Sequence, residues 1–408
     1  MGGDLKPREI QPGISWLGAV DWNRRLFDEL IPLPDGTSYN AYLVRGSQTT
    51  ALIDTADPTK SEAFLEQLDE IGRLDVLVVQ HVEQDHSGTL PAVLDRYLEA
   101  RIVSTPKAKP MIVDHLAIPE DRITAVEDGE TLSLGNRTLE FLHAPWVHWP
   151  ETMLTYLREE RILFTCDLFG SHLATSELFA SVDRPRVYES AKRYYAEIMM
   201  PFARLIRGHL EKLAPYEIEM ICPSHGPIHD DPAFIVDAYR HWVLDPPKNL
   251  VVLPYTSMHG STRRMVEHLI AALSQRGIRV EPFDMTVTDL GAYAVRLVDA
   301  ATVVFATPTV LLGPHPSIVY AAYLTAALRP KLKHAAVIGS YGWGSQAVER
   351  IEELCSRLEV EWLDPVLVRG LPGEKIHQAL DRLADRIAER HKELESSEGA
   401  PPWTEASS

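Results

Sequence analysis

Val78-Val79-Gln80-His81-Val82-Glu83-Gln84-Asp85-His86-Ser87-Gly88 is the stretch whose reading decides the fold of the first half of this chain. The apolar run from Leu74 to Val79 has the length and β-branched content of a buried strand. It stops at four side chains able to bind a metal, His81, Glu83, Asp85 and His86. Two imidazoles and two carboxylates form a mixed nitrogen and oxygen donor set, which suits iron, manganese or zinc better than a thiolate-seeking metal. The plainer alternative is a polar strand-to-helix loop in which Asp85 or Ser87 caps a helix beginning near Leu90. One metal can hardly use all four residues of so short a loop, so further ligands are expected far along the chain. Three residues at the ends of apolar runs answer that description. They are His148 in Ala144-Pro145-Trp146-Val147-His148-Trp149-Pro150, Asp167 after Ile162 to Cys166, and His225 in Cys222-Pro223-Ser224-His225-Gly226.

Around that stretch, short strand-like runs alternate with helical ones from Ile14 to about Tyr239. Tyr39 to Val44 and Thr50 to Asp54 read as a hairpin, with Gly46 and Ser47 in the turn. A helix is expected from Ser61 to Gly72, since Phe64, Leu65, Leu68 and Ile71 share one face. The segment from Ala191 to Leu213 reads as helices broken near Pro201. Asp245-Pro246-Pro247-Lys248 marks a boundary, because two prolines end the preceding helix and stiffen a link. A new strand follows, Asn249 to Tyr255. Ile278 to Phe283, Thr302 to Thr307, Ala335 to Gly339 and Trp362 to Val368 are further strands alternating with helices, which implies a parallel, doubly wound sheet. The tail from Glu395 to Ser408 is expected to be disordered.

The second half carries a different site. Thr256-Ser257-Met258-His259-Gly260-Ser261-Thr262 lies between a strand and the amphipathic helix of Met265, Val266, Leu269, Ile270 and Leu273. Hydroxyls, a glycine and backbone amides at a helix N-terminus make a phosphate cradle, though not the GxxxxGK[ST] loop of nucleotide hydrolases. Two later loops follow strands at the edge where open α/β sheets bind ligands. The first contains Pro308, Thr309, Val310, Leu311 and Gly313; the second contains Ser340, Tyr341, Gly342, Trp343 and Gly344.

The pattern His-x-Glu-x-Asp-His, followed at these separations by His148, Asp167 and His225, resembles the metallo-β-lactamase fold as it occurs in flavodiiron proteins, the A-type flavoproteins. The three loops of the second half resemble the FMN site of flavodoxin. The resemblance spans nearly the entire chain, roughly residues 10–395. It implies an α/β protein with an N-terminal metallo-β-lactamase-like αββα sandwich (1–247) and a flavodoxin-like doubly wound sheet (248–394), followed by the tail (395–408). Hydrolases of the superfamily usually carry His where Glu83 stands. An anionic oxygen there hardens one metal position and favours iron in its higher oxidation state, which points to redox chemistry over hydrolysis.

By the same resemblance, one iron is expected on His81, Glu83 and His148 and the other on Asp85, His86 and His225, with Asp167 bridging. His86 is left unligated in some members. FMN is expected on the three loops, with Thr256 to Thr262 at its phosphate. The implied activity is reduction of dioxygen to water or of nitric oxide to nitrous oxide. The rivals are a dizinc hydrolase with a flavodoxin module and an electron carrier with a degenerate front domain. No rubredoxin or flavin-reductase module is visible after the second half. Electrons are therefore expected from a separate donor: rubredoxin, a reduced deazaflavin or another reductase. A head-to-tail homodimer, or a dimer of such dimers, is expected to bring the FMN of one chain against the metals of the other. His143, His172 and Tyr195 are candidates for supporting the metal ligands with hydrogen bonds or protons.

Composition agrees with such a protein. The 408 residues, 45% of them hydrophobic and 24% charged, exceed one ordinary domain and supply two cores. A formal net charge of -18 argues against nucleic acid. Cys166, Cys222 and Cys355 show no CxxC spacing, so neither a disulfide framework nor an iron–sulfur site is visible. With no export signal, lipidation signal or membrane-length apolar run, the expected place is a reducing cytoplasm.

Overall fold

Apolar runs of period two and glycine-rich turns build two facing sheets in the first half of the protein. The computed structural model describes residues 6–397, and contacts divide the chain between Leu244 and Asp245. In the first unit, a seven-stranded sheet runs in the order Arg8–Gln11, Ile14–Asp21, Thr37–Arg45, Thr50–Ile53, Val76–Val78, Arg101–Ser104, Ile123–Ala125. A five-stranded sheet runs Thr131–Ser133, Thr138–His143, Met153–Leu157, Ile162–Cys166, Met220–Pro223. Between them lies a core containing Trp16, Val44, Ile53, Val78, Phe141 and Phe164. The outer face of the first sheet buries Leu43, Leu52 and Leu77 against Phe64, Leu68 and Ile112 of its helices. This is the αββα sandwich. The hairpin Thr37–Arg45/Thr50–Ile53 forms as expected.

One local expectation changes: the helix at Ser61 ends at Asp69. The helices expected to break near Pro201 do so, through a π-turn at Tyr195–Met199 and a 3-10 turn at Met200–Phe202, after which Ala203–Leu213 resumes the helix.

The second unit is a parallel sheet in the order Arg279–Asp284, Lys248–Tyr255, Ala300–Val310, His334–Tyr341, then Glu361–Trp362 and Val366–Arg369 on the last edge. Numbered along the chain, this is the 2-1-3-4-5 order of doubly wound flavodoxin-like sheets, which bind their ligand between strands 1 and 3. The strand expected from Trp362 to Val368 is in fact two. Pro365 has no N–H for the ladder, and the chain leaves the sheet at Leu363-Asp364-Pro365. The final helix, Glu374–Ser397, runs three residues beyond the expected start of the tail. The rest of that tail, 398–408, lies outside the described residues. All three cysteines are buried and free. No helix among the described residues is long and apolar enough to cross a membrane.

Candidate metal centre and flavin loops

Four loops bring the first-unit candidates to one place. The strand Val76–Val78 delivers His81. The next residues turn into a short helix, Gln84–Ser87, that presents Asp85 and His86. Ser87 does not cap the helix Leu90–Arg96; its Oγ donates back to the carbonyls of Val82 and Glu83, 2.6 and 3.0 Å away, and closes the ligand loop. Asp85 caps nothing either and faces the cluster. Asp167 follows the strand Ile162–Cys166 directly, and His225 stands two residues beyond Met220–Pro223. Asn40 pins the second of these loops to the first sheet, its Nδ2 donating to the carbonyls of Pro223 and Gly226 while its Oδ1 accepts from the Trp16 indole.

The seven side chains fall into two sets that share Asp167. In the first, His81 Nε2 and His148 Nε2 are 3.1 and 3.0 Å from Glu83 Oε2, and each is 3.6 Å from Asp167 Oδ2. In the second, His225 Nε2 is 3.0 Å from Asp85 Oδ2, His86 Nε2 is 3.4 Å from Asp85 Oδ1, and the two imidazoles are 3.4 and 3.0 Å from Asp167 Oδ1. The shared carboxylate thus turns one oxygen to each set. Both oxygens of Asp85 and of Asp167 and both nitrogens of His86 are buried without a hydrogen bond of good geometry. Buried polar groups left so cost stability unless something else binds them. Convergent imidazoles and carboxylates, with Asp85, Asp167 and His86 left unpartnered, fit a pair of cations. Without cations, protons take the place of that charge. His86 is raised to about 10, because Asp167 and Asp85 outweigh a burial that alone would lower it. Asp167 is held well below the usual carboxylate range, since burial, which would raise it, yields to the charges of His86, His81 and His225.

Groups around the cluster differ partly from expectation. His172 is there, its ring 4.9 Å from that of His225 and its Nδ1 2.9 Å from Thr37 Oγ1. Burial and the neighbouring His225 push its pKa well below the ordinary histidine range, so it is neutral. His143 is turned away, with Nε2 on the Val126 carbonyl. Tyr195 packs on Tyr239 and Trp242. The tyrosine at the centre is its neighbour Tyr194, whose ring lies 4.8 Å from His172. Burial and then the Asp167 charge lift its hydroxyl well above the usual phenol range. Tyr194 is the last residue of the regular helix Arg184–Tyr194, and Tyr195 opens the π-turn that follows. Glu151 was also missed: its Oε1 accepts the Nδ1 proton of His81 at 2.7 Å. A carboxylate three residues after a candidate ligand was the available signal. On the open side, Arg24, Phe27, Asp28, Asp57, Glu83 and Asp85 line a cavity of about 310 Å³.

In the second unit the three loops gather at the carboxyl edge of the central strands. Gly260, at φ +87°, sets the N-terminus of the helix Ser261–Gln275, and Ser257 Oγ accepts from the amides of Gly260 and Arg263 to shape the turn. Thr262 Oγ1 meets Ser340 Oγ at 3.0 Å, and Thr309 Oγ1 meets Ser345 Oγ at 2.8 Å, tying the loops together. Pro308, Thr309 and Val310 were read as loop but belong to the strand Ala300–Val310, which turns back at Leu311 and Leu312 to pair with Gly313–Pro314. Ser340 and Tyr341 likewise end a strand. A side-chain carbon at Gly342 would meet nothing within 4 Å, while Met258, Leu311 and Trp343 stand exposed around the loops. Open glycine backbone with an apolar rim fits a flat ring, beside a helix N-terminus that fits its phosphate.

Known proteins resemble this chain over nearly its whole length. The chain is 36% identical over 398 residues to a nitric oxide reductase of Moorella thermoacetica, covering 94% of this chain and all of that protein. Its structure superimposes on the rubredoxin oxygen:oxidoreductase of Desulfovibrio gigas with a TM-score of 0.92 at 30% identity, covering 96% of this chain and all of the other. It belongs to the flavodiiron family. A flavodiiron protein of Giardia intestinalis aligns at a TM-score of 0.88, with 26% identity over 97% of this chain and 99% of its own. Residues 37–226 also match the model of the ODP family beta lactamase. For this flavodiiron protein the αββα and flavodoxin-like expectations therefore hold.

Proposed function

We propose that this flavodiiron protein reduces dioxygen to water, nitric oxide to nitrous oxide, or both, at a diiron centre in the first unit that is resupplied by FMN in the second. The observation that carries the reading is Asp167, with one oxygen turned to each of two complete donor sets. His81, Glu83 and His148 would hold one iron; Asp85, His86 and His225 the other. The FMN would lie on Thr256 to Thr262, Pro308 to Leu311 with Gly313, and Ser340 to Gly344. Bound there, two ferrous ions would supply electrons in pairs to a small diatomic substrate, and the FMN would replace them.

The chain's own residues prepare that chemistry. Glu83 gives the first set an anionic oxygen where hydrolases of this fold carry His, and so favours iron over zinc at this position. Phe27 and Tyr39 set aromatic edges against His225, with ring centres 6.2 and 5.8 Å away, and Trp149 stands 5.0 Å from His81. Neutral His172 and the protonated Tyr194 hold hydrogen-bonding hydrogens beside His225 without adding charge.

Electrons are proposed to come from a separate donor, a rubredoxin, a reduced deazaflavin or another reductase, in a reducing cytoplasm. The working assembly is proposed to be a head-to-tail homodimer, alone or paired, a closed two-fold arrangement that sets the flavin of one chain against the metals of its partner. Mixing a metal-less chain (His81→Ala with Asp167→Ala) with one whose phosphate loop is disrupted should restore activity in mixed dimers, whereas an active monomer would overturn the trans arrangement. The activity itself is tested by metal analysis and anaerobic stopped-flow of the reduced protein against each gas. Iron with rapid flavin reoxidation is expected; stoichiometric zinc without iron, from iron-replete cells, would overturn the reductase reading in favour of a hydrolase.

A further inference from the structure

The two donor sets are supported differently behind their imidazoles. In the first, the Nδ1 of His81 donates to a carboxylate, Glu151 Oε1, at 2.7 Å. The same oxygen accepts the Val82 amide at 3.1 Å. Glu151 is 1% exposed, and its other oxygen has no protein hydrogen-bond partner. In the second set, His225 Nδ1 donates to a neutral acceptor, the Ser38 carbonyl, at 2.6 Å. His86 Nδ1 has no partner. The other buried carboxylate nearby, Asp54, accepts from the backbone and side-chain nitrogens of Gln80 and hydrogen-bonds no ligand. Each set has one carboxylate of its own and shares Asp167. The difference is therefore one carboxylate hydrogen-bonded directly to a ligand imidazole, His81.

A carboxylate behind a metal-bound imidazole raises its donor strength, and a stronger, more anionic donor set favours the more highly charged ion. We infer that Glu151 sets the two metal positions apart, so that the one held by His81, Glu83 and His148 stays ferric when a single electron has entered the centre. The first electron from the reduced flavin then converts the diferric centre to one ferrous and one ferric ion, with the ferrous ion at Asp85, His86 and His225. The second electron makes both ferrous. Glu151 acts through His81 and is a positioning residue. The inference rests on the diiron reading above, which iron content tests separately.

Glu151→Gln keeps the length and an acceptor oxygen and removes the charge. Thr105→Val, which removes the hydroxyl donor to the Glu151 backbone carbonyl, perturbs the same residue without changing charge. In iron-loaded protein the two one-electron couples are followed by electron paramagnetic resonance during a redox titration. Loss of such a support changes metal binding by about 10–100-fold. A tenfold loss of ferric preference at one position raises the second couple by about 59 mV, narrows the gap between couples by that amount and weakens the mixed-valence signal. The flavin couples and the Thr105→Val variant should match wild type. A gap that is unchanged or wider in Glu151→Gln overturns the inference. If that variant loads iron poorly, apo-protein is titrated with redox-inert gallium(III) and zinc(II). A loss about tenfold greater for the trivalent ion supports the inference, and equal losses overturn it. Wild-type protein that carries zinc in place of iron would overturn the diiron reading, while the gallium and zinc comparison would still judge Glu151.

Discussion

Asp167 and Gly226 show how much of the centre depends on single residues. With Asp167→Ala neither set keeps its shared oxygen, so we expect iron to fall well below stoichiometric and turnover to vanish; iron analysis and gas consumption check this. Gly226 has φ +78°, and a side-chain carbon there would sit 2.1 Å from Ser171 Oγ. Gly226→Ala should therefore cost about 1–3 kcal/mol and shift His225, lowering both the melting temperature and the iron content. At a third residue the consequence is a pH dependence. His391 Nε2 is 2.7 Å from Thr302 Oγ1 and its Nδ1 2.8 Å from Asn249 Oδ1, an arrangement that suits a neutral ring donating at Nδ1 and accepting at Nε2. Burial, then the nearby His334, pushes its pKa down to about 4, against about 6.5 in an unfolded chain. A depressed histidine favours the folded state above the unfolded pKa. That contribution, on the order of 2 kcal/mol after screening, is lost as the pH falls from about 6.5 to 4. Thermal melts over this range should show a shallower acid loss in His391→Gln than in wild type.

At the scale of the element, the hairpin at the flavin edge breaks a local rule. Leu311 and Leu312 both have positive φ, +48° and +70°, as the central pair of a type I′ turn requires, yet such turns prefer Asn-Gly. Replacing them as Leu311→Asn with Leu312→Gly should stabilise the second unit by about 1 kcal/mol, a melting shift of about 2–4 °C. A lower melting temperature would show that contacts such as Leu312 against the Gly344 loop outweigh the strain. The same element marks the limit of what the sequence reveals. Periodicity and turn residues located the hairpin at Thr37–Arg45, the parallel strands and the ends at which His81, Asp167 and His225 stand, because strand ends are announced by an abrupt change from apolar to polar. They did not show that Pro308 to Val310 continue a strand, since Thr-Pro-Thr has turn composition and is held extended by Gly339 and Ser340 on one side and Gly313–Pro314 on the other. Nor could they distinguish Tyr194 from Tyr195, adjacent residues of one type whose facing depends on how their helix packs against the cluster. Glu151 was equally hidden, because its partner lies seventy residues away and only the fold brings them together.

For the whole molecule, separate cores predict separable losses. The first unit is built on clusters around Phe64 and Phe164, the second on one around Leu253, Val304 and Ile338. Asp167→Ala should accordingly retain FMN at the wild-type level by absorbance while it loses iron, and simultaneous loss of both would show the units to be coupled. The division of ligands between the two sheets of the first unit has an outcome for biogenesis as well. His81, Glu83, Asp85 and His86 follow a strand of the first sheet, whereas Asp167 and His225 follow the last two strands of the second. A nascent chain emerging from the ribosome carries a complete His81, Glu83 and His148 set while the shared carboxylate and the final imidazole are still unsynthesised. Such a half-built pocket is open to whichever divalent ion is most abundant. If these seven residues hold the metals as proposed, the full set exists only once the strand Met220–Pro223 has paired with Ile162–Cys166, and maturation would follow tertiary folding.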